Sequence, residues 1–327
     1  MTRQLIIDTD PGVDDAMAIF LALASPELEI IGLTTIFGNV DTELATTNAL
    51  RLLDIAGHRE IPVAKGATAP LTRPFAGPVP FVHGEDGQGN VFLPHPETKA
   101  VPETAAAFIA RQVMAHPGEI TLAPIGPLTN IALALRLEPA MATNVQEVVL
   151  MGGNALAPGN ASPAAEANIL NDPEAADVVF GAAWPVTMVG LDVTHQVHMT
   201  PEQIARHTQA ASPMAQHIAK IVSFYQSFFE TAYSASKLQG IYVHDASAIA
   251  YLIDPTLFEV KRWPIRVETK GVGRGKTWPA IPLSLDASYQ VPAPWRDRPL
   301  VNVCMGVDEA RVVELVLSRL AGVARQI

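Results

Sequence analysis

The segment Asp8-Thr9-Asp10-Pro11-Gly12-Val13-Asp14-Asp15 places four carboxylates within eight residues. It follows the apolar run Leu5-Ile6-Ile7 and precedes a second apolar run over residues 16–24, so it reads as strand, tight turn and helix with acids crowded at the junction. Like charges this close repel, and no basic residue nearby offsets them. A bound cation would, and an oxygen-only ligand set points to a hard ion such as calcium or magnesium. Pro11-Gly12 makes the turn, and Asp14 and Asp15 fall in the first helical turn, where the dipole favours anions. Adjacent helix residues diverge by about 100°. One acid can therefore face a metal and the other a substrate hydroxyl. Helix capping would account for Asp14 and Asp15, but not for Asp8 and Asp10 on the strand end.

Two further segments carry chemistry. Tyr242-Val243-His244-Asp245-Ala246 opens a helix over 246–253. Asp245 is a candidate hard ligand and His244 a candidate proton donor or acceptor near neutral pH. Taken alone, this pair also reads as a helix cap beside a structural histidine. Residues 159–168 place Asn160, Glu166 and Asn168 in one loop. Such groups suit a polyhydroxyl ligand such as a sugar, because each hydroxyl both donates and accepts; turn-forming asparagines with local backbone bonds are the competing reading. Gly275-Lys276-Thr277 resembles the end of a phosphate-binding loop, but Lys270 stands where the first glycine is required, which rejects a nucleoside triphosphate site.

The elements that must position these groups alternate. Strands are predicted at 5–8, 29–35, 61–64, 120–123, 145–151 and 186–189, and helices at 14–24, 42–56, 101–115, 127–137 and 175–181. This βα alternation predicts an α/β fold with a mostly parallel, Rossmann-like central sheet and helices on both faces. Ligands of such sheets sit beyond the carboxyl ends of the strands. Asp8 and Asp10, Asn39, Ile125-Gly126, Met151-Gly152-Gly153 and Asp192 all fall at such ends, so distant segments are expected to converge on one crevice. Residues 70–96, rich in Pro and Gly with His83-Gly84-Glu85-Asp86-Gly87 at their centre, read as a lid over it. Residues 155–173 are also loop-like. The C-terminal part mixes a helical pattern over 213–236, strand-like runs at 260–267 and 300–304, and a final helix over 308–324. With no linker or repeat, residues 1–327 read as one domain.

Composition narrows the class. The net charge is −11, from 22 basic and 33 acidic residues, which argues against a nucleic-acid partner held through phosphates. Cys304 is the only cysteine, so there is no intrachain disulfide or thiolate metal cluster. No apolar run is long enough to span a bilayer, and residues 1–4 lead straight into a strand without a signal peptide. The expectation is a cytoplasmic protein with no membrane partner.

Taken together and in this order, these segments resemble the inosine–uridine-preferring nucleoside hydrolase family. The Asp-x-Asp-x-Gly-x-Asp-Asp opening is the most specific match. Residues 35–39, Pro124-Ile125-Gly126-Pro127-Leu128-Thr129-Asn130, Met151-Gly152-Gly153, the Asn160–Glu166–Asn168 loop with the Asn171-Asp172-Pro173 that follows, and His244-Asp245 support it. The resemblance implies the nucleoside hydrolase fold and cleavage of the N-glycosidic bond of ribonucleosides to ribose and free base, with one bound calcium. Asp10, Asp15 and Asp245 would be its carboxylate ligands, and Ile125 would give its backbone carbonyl. Asp14, Asn39, Asn160, Glu166 and Asn168 would hold the ribose hydroxyls, assisted by the Met151 carbonyl, and Asp8 would be a supporting residue outside the metal shell.

The chemistry agrees with those roles. Cleavage passes through an oxocarbenium-like state that carboxylates stabilise. Calcium lowers the pKa of its water, and Asp10 can take the proton. His244 would assist the leaving base, and His83 from the lid would contact it. Tyr225, Gln226, Phe229 and Tyr233 could line a base pocket or belong to the core, and the base preference stays open. The resemblance also implies a homodimer or homotetramer with a role in nucleoside salvage or catabolism. Two alternatives are a magnesium phosphatase built on Asp8-Thr9-Asp10, in which Gly12 is out of place, and a catalytically silent nucleoside- or sugar-binding protein.

Overall fold

Leu5, Ile6 and Ile7 are fully buried and carry strand β1 (Arg3–Thr9) through the middle of the molecule. Helix α1 (Val13–Leu23) follows after three residues and is buried from Val13 to Ala22, so it packs on all sides rather than along one stripe. The computed structural model describes residues 2–207, 212–234, 240–282 and 291–322.

The chain continues through β2 (Leu28–Thr35), α2 (Thr42–Ala56), β3 (Val63–Lys65), α3 (Pro80–His83), α4 (Ala105–Ala115), β4 (Ile120–Pro124), α5 (Thr129–Leu137), β5 (Glu147–Met151), α6 (Ala167–Asn171) and α7 (Pro173–Phe180). Then come β6 (Val186–Val189), α8 (Leu191–Thr194), β7 (His198–Met199), α9 (Pro201–His207), α10 (Pro213–Ala232), β8 (Ile241–Tyr242) and α11 (His244–Ile253). The described chain closes with β9 (Phe258–Val267), β10 (Thr277–Pro279), α12 (Ala293–Arg296), β11 (Leu300–Val307) and α13 (Glu309–Leu320).

Nine strands form one sheet in the order β10-β9-β11-β6-β5-β4-β1-β2-β3. It is parallel from β11 to β3, and β9 and β10 add an antiparallel edge. The expected α/β architecture is therefore present, and the C-terminal strands extend the same sheet. Two buried apolar clusters cover its faces. Leu5 and Ile7 belong to one and Ile6 to the other, as the period-two alternation of a central strand requires.

The chain runs from β1 outward to β2 and β3, then returns to β4 on the other side of β1. The strand order reverses there, which makes the carboxyl ends of β1 and β4 the switch point where ligands of such sheets bind. The ladder continues past both strands: Ile125 N–H donates to the Asp8 carbonyl at 2.8 Å, and Ile36 N–H donates to the Thr9 carbonyl at 3.1 Å.

Several boundaries differ from the sequence expectation. The helix expected over 101–115 begins at Ala105, because Thr104 caps it by accepting from Ala107 N–H. The helix expected from 246 begins at His244, so this side chain sits on the first helical turn. The loop-like stretch 155–173 contains α6, started by the Glu166 side chain accepting from Asn168 N–H and Ile169 N–H. The ends of the patterns read over 213–236 and 308–324 lie outside the described residues. Among the described residues, no helix is long and apolar enough to cross a membrane.

Candidate active site

The acids at the β1–α1 junction are all buried, and each accepts hydrogen bonds from its surroundings. Asp8 Oδ1 accepts from Thr34 Oγ1 at 2.6 Å and from Asn130 Nδ2 at 2.8 Å, which ties β1 to β2 and α5. Burial pushes the Asp8 carboxyl up to about 7, against the pull of those two hydrogen bonds. Asp15 reaches back to its own turn: Thr9 Oγ1 donates to Oδ1 at 2.6 Å and Gly12 N–H to Oδ2 at 2.9 Å. Asn39, just past β2, bridges two acids. Its backbone N–H donates to Asp10 Oδ2 at 2.6 Å, and its Nδ2 to Asp15 Oδ2 at 2.9 Å.

One carboxylate oxygen each of Asp8, Asp10 and Asp14 is left unpaired. Asp10 Oδ1 and Asp14 Oδ1 are buried without a hydrogen-bond partner. Oxygens of Asp14, Asp15 and Asp245 all lie within 4.8 Å of one another. Asp245 comes from the first turn of α11, more than two hundred residues away in sequence. Burial raises all these carboxyls first, and their mutual repulsion raises Asp10, Asp15 and Asp245 further. A cluster of oxygen donors carrying like charge in a dry site fits a hard cation and little else. The set that meets most tightly includes Asp14, which the sequence assigns to substrate, while Asp10 presents its free oxygen beside Gly126. A side chain on Gly126 would collide with that oxygen, so glycine is required for the β4 end to pass Asp10.

The residues that the resemblance assigns to the ribose line the same cavity. Asn168 Nδ2 donates to the carbonyls of Ile125 at 2.8 Å and Met151 at 3.1 Å, so the ends of β4 and β5 and the start of α6 meet at one amide. Glu166 is buried, and its Oε2 accepts from Gly153 N–H at 2.9 Å as well as from Ile169 N–H. Asn160 is exposed at the rim and accepts from Ala167 N–H at 3.0 Å.

Two histidines close the site. His83, at the end of α3, is buried; its Nδ1 accepts from Val13 N–H at 3.1 Å and lies 3.9 Å from Asp14 Oδ1. An Nδ1 that accepts carries no proton, which agrees with burial pushing His83 down to about 4. His244 is also buried, and burial with the nearby His195 pushes it down to about 3. Its imidazole is therefore neutral at neutral pH and offers an N–H rather than an imidazolium, a change from the near-neutral titration that the sequence suggests.

The cavity between these walls has a volume of about 170 Å³. Asp14, Asn39, His83, Ile125, Met151, Asn160, Glu166, Asn168, His244 and Asp245 all line it; Asp10 and Asp15 are buried and do not. Its outer wall is aromatic. Tyr225, Phe228, Phe229 and Tyr233 of α10 and its C-terminal end face it together with Phe81 of α3. Tyr225 stacks on His83 with ring centroids 5.4 Å apart and donates to Asp14 Oδ2 at 3.1 Å. Of the four residues the sequence offered for a base pocket, Tyr225, Phe229 and Tyr233 line it, whereas Gln226 does not and donates to Glu230 at 2.8 Å. Phe228 and Phe81 escape the sequence reading. Asp192 does not reach the crevice either. It accepts the N–H groups of Ala155, Leu156 and Ala157 and so braces the loop that leads to Asn160. Lys276 and Thr277 do similar work, both donating to the Asn154 carbonyl.

Residues 5–314 match the family model of the inosine-uridine preferring nucleoside hydrolases, and the chain belongs to that family, whose activity is hydrolysis of the N-glycosyl bond of nucleosides. It is 44% identical over 319 residues to a probable uridine nucleosidase 2 of Arabidopsis thaliana, covering 97% of each chain. It is 45% identical over 273 residues to an inosine-uridine preferring nucleoside hydrolase of Leishmania major, covering 83% of this chain and 85% of that one. Among solved structures, a plant nucleoside hydrolase superposes with a TM-score of 0.94 at 38% identity, covering 98% of this chain and 99% of the other. The phosphatase alternative gives way to this membership, and the cavity agrees: among the described residues that line it, none is Lys or Arg.

Proposed function

We propose that this chain hydrolyses ribonucleosides to ribose and free base, using a calcium ion, Asp10 as general base and His244 as hydrogen-bond donor to the leaving base. The observation that carries the proposal is the meeting of Asp14, Asp15 and Asp245 within 4.8 Å of one another, with Asp14 and Asp245 lining the same cavity as Asn39, Glu166, Asn168 and His244. Asp10, Asp15, Asp245 and the Ile125 carbonyl would hold the ion, with Asp14 close enough to share it. When bound, the ion supplies positive charge that acidifies a water and fixes the vicinal hydroxyls of ribose.

The remaining chemistry belongs to the side chains. Asp10 has one oxygen pinned by Asn39 N–H and the other without a partner, so it can accept a proton without moving. Asp14, Asn39, Asn160, Glu166 and Asn168 orient the sugar, and the buried carboxylates stabilise the cationic ribosyl transition state. His83 and His244 flank the region left for the base. The neutral His244 stabilises the departing base by donating a hydrogen bond, because an undonated base anion leaves poorly.

This proposal includes a single domain over residues 1–327 and a cytoplasmic location, both read from the sequence pattern, and a homodimer or homotetramer with a role in salvage or catabolism, carried by the family resemblance. Steady-state rates on inosine, adenosine, guanosine, uridine and cytidine, with and without a chelator, test it. Base release that the chelator abolishes and calcium restores is the expected result. Turnover that survives complete metal removal would overturn it.

A further inference from the structure

Thr194 Oγ1 lies 2.8 Å from Nδ1 of His244. Thr194 is fully buried at the last position of α8, and among the described residues His244 is the only hydrogen-bonding partner of its hydroxyl. Two proton arrangements fit that distance. In one, the hydroxyl donates to the Nδ1 lone pair, and both groups are satisfied. In the other, Nδ1–H donates to the hydroxyl oxygen, and the hydroxyl proton is buried with no acceptor. Protein interiors avoid the second.

We propose that Thr194 is a positioning residue that fixes His244 in the Nε2–H tautomer and so directs the N–H of a neutral imidazole at the departing base. This deepens the leaving-group role given to His244 above and rests on it. The ring cannot easily turn to evade the bond. His195 packs edge-on against it at 5.6 Å between centroids, and Tyr242 lies at the same separation on a tilted plane. Thr194 itself is anchored: its N–H donates to the Gly190 carbonyl at 3.0 Å. Asp192, two residues earlier, holds the backbone of Ala155 to Ala157. The helix that brackets the ribose loop therefore also sets the histidine.

The test separates this proposal from the role on which it rests. Thr194→Val keeps the shape and removes the donor, Thr194→Ser keeps the donor, and His244→Ala removes the ring. Each is assayed on the better of uridine and inosine and on p-nitrophenyl riboside, whose leaving group departs without a proton. Thr194→Val is expected to lower nucleoside kcat about tenfold or more, with p-nitrophenyl riboside within about twofold, and Thr194→Ser to restore both. The double variant is expected to be no slower than His244→Ala alone.

Equal losses on both substrates in Thr194→Val, while His244→Ala still discriminates, would overturn the Thr194 proposal alone. Equal losses in His244→Ala would remove the leaving-group role and the proposal with it. An activity-independent readout uses proton–nitrogen correlations of ¹⁵N-histidine-labelled wild-type protein. An Nε2–H signature for His244 supports the proposal, and an Nδ1–H signature overturns it even if Thr194→Val fails to fold.

Discussion

The backbone N–H of Val13 donates to Nδ1 of His83 across 3.1 Å, joining the lid to the first turn of the acid-bearing helix. The bond is possible because residue 12 is glycine. A methyl group there would stand 2.6 Å from His83 Nδ1 and 2.8 Å from Asn39 Nδ2. Gly12→Ala is therefore expected to displace both, lowering kcat/KM about tenfold or more while the fold survives. Wild-type kinetics with an unchanged melting temperature would refute this account of the turn.

The repulsion among the acids gives a stability prediction with a definite sign. The Asp245 carboxyl is raised by burial first, and then by Asp14, Asp15 and Asp10. A carboxyl whose folded pKa is raised costs nothing below its unfolded value and destabilises progressively as pH rises above it. Asp245→Asn should therefore stabilise the metal-free protein at pH 7 by ~1 kcal/mol, or about 2–4 °C in Tm, and this gain should vanish near pH 4. The same variant should lose the rise in Tm that calcium gives the wild type. Thermal scans with and without calcium check both.

The proposed contact between the ribose diol and the metal site would make the 2′-hydroxyl matter. Replacing ribonucleosides by 2′-deoxynucleosides leaves buried charged groups without one partner. We expect kcat/KM to fall by about ten- to a hundredfold. Equal rates on the two series would contradict binding through the diol.

His217 supplies an opposite pH signature outside the acid cluster. Its Nε2 lies 2.9 Å from Gln88 Oε1, while the Gln88 amide donates to the carbonyls of Pro11 and Gly12, so His217 is the donor. Burial, then Lys220, pushes it down to about 4. A histidine depressed in the fold contributes fully above its unfolded pKa of about 6.5 and loses that contribution as pH falls toward its folded value. His217→Gln keeps a donor that does not titrate. Relative to wild type it should gain ~2 kcal/mol between about pH 6.5 and 4, measurable by urea unfolding at several pH values. A constant difference would remove His217 from the acid lability of the protein.

The frame was legible because its signals are local. Helix α2 was delimited at both ends, with Asp41 accepting from Leu44 N–H and Gly57 in the left-handed conformation that ends the helix. The acid motif was legible because four carboxylates beside a strand end have few other uses. The aromatic wall was only half legible. Tyr225, Phe229 and Tyr233 recur at four-residue intervals and share a face, whereas Gln226 lies about 100° round the helix. Phe81 is 67% exposed on a four-residue helix with no period to read, so only the folded lid reveals its position opposite Phe228. Asp192 and Thr194 were illegible for a different reason: their partners are backbone amides 35 to 37 residues away and one imidazole 50 residues away, and no spacing encodes such pairs.

The reversal of strand order between β1 and β4 also bears on biosynthesis. A ribosome releases Asp10, Asp14 and Asp15 together, β4 more than a hundred residues later, and Asp245 more than a hundred residues after that. Until α11 arrives, the nascent chain carries buried-type acids without the segment that completes their cluster. On the proposed function, catalytic competence thus waits for α11, and a truncated product that lacks it would be inert toward nucleosides however well its sheet had formed.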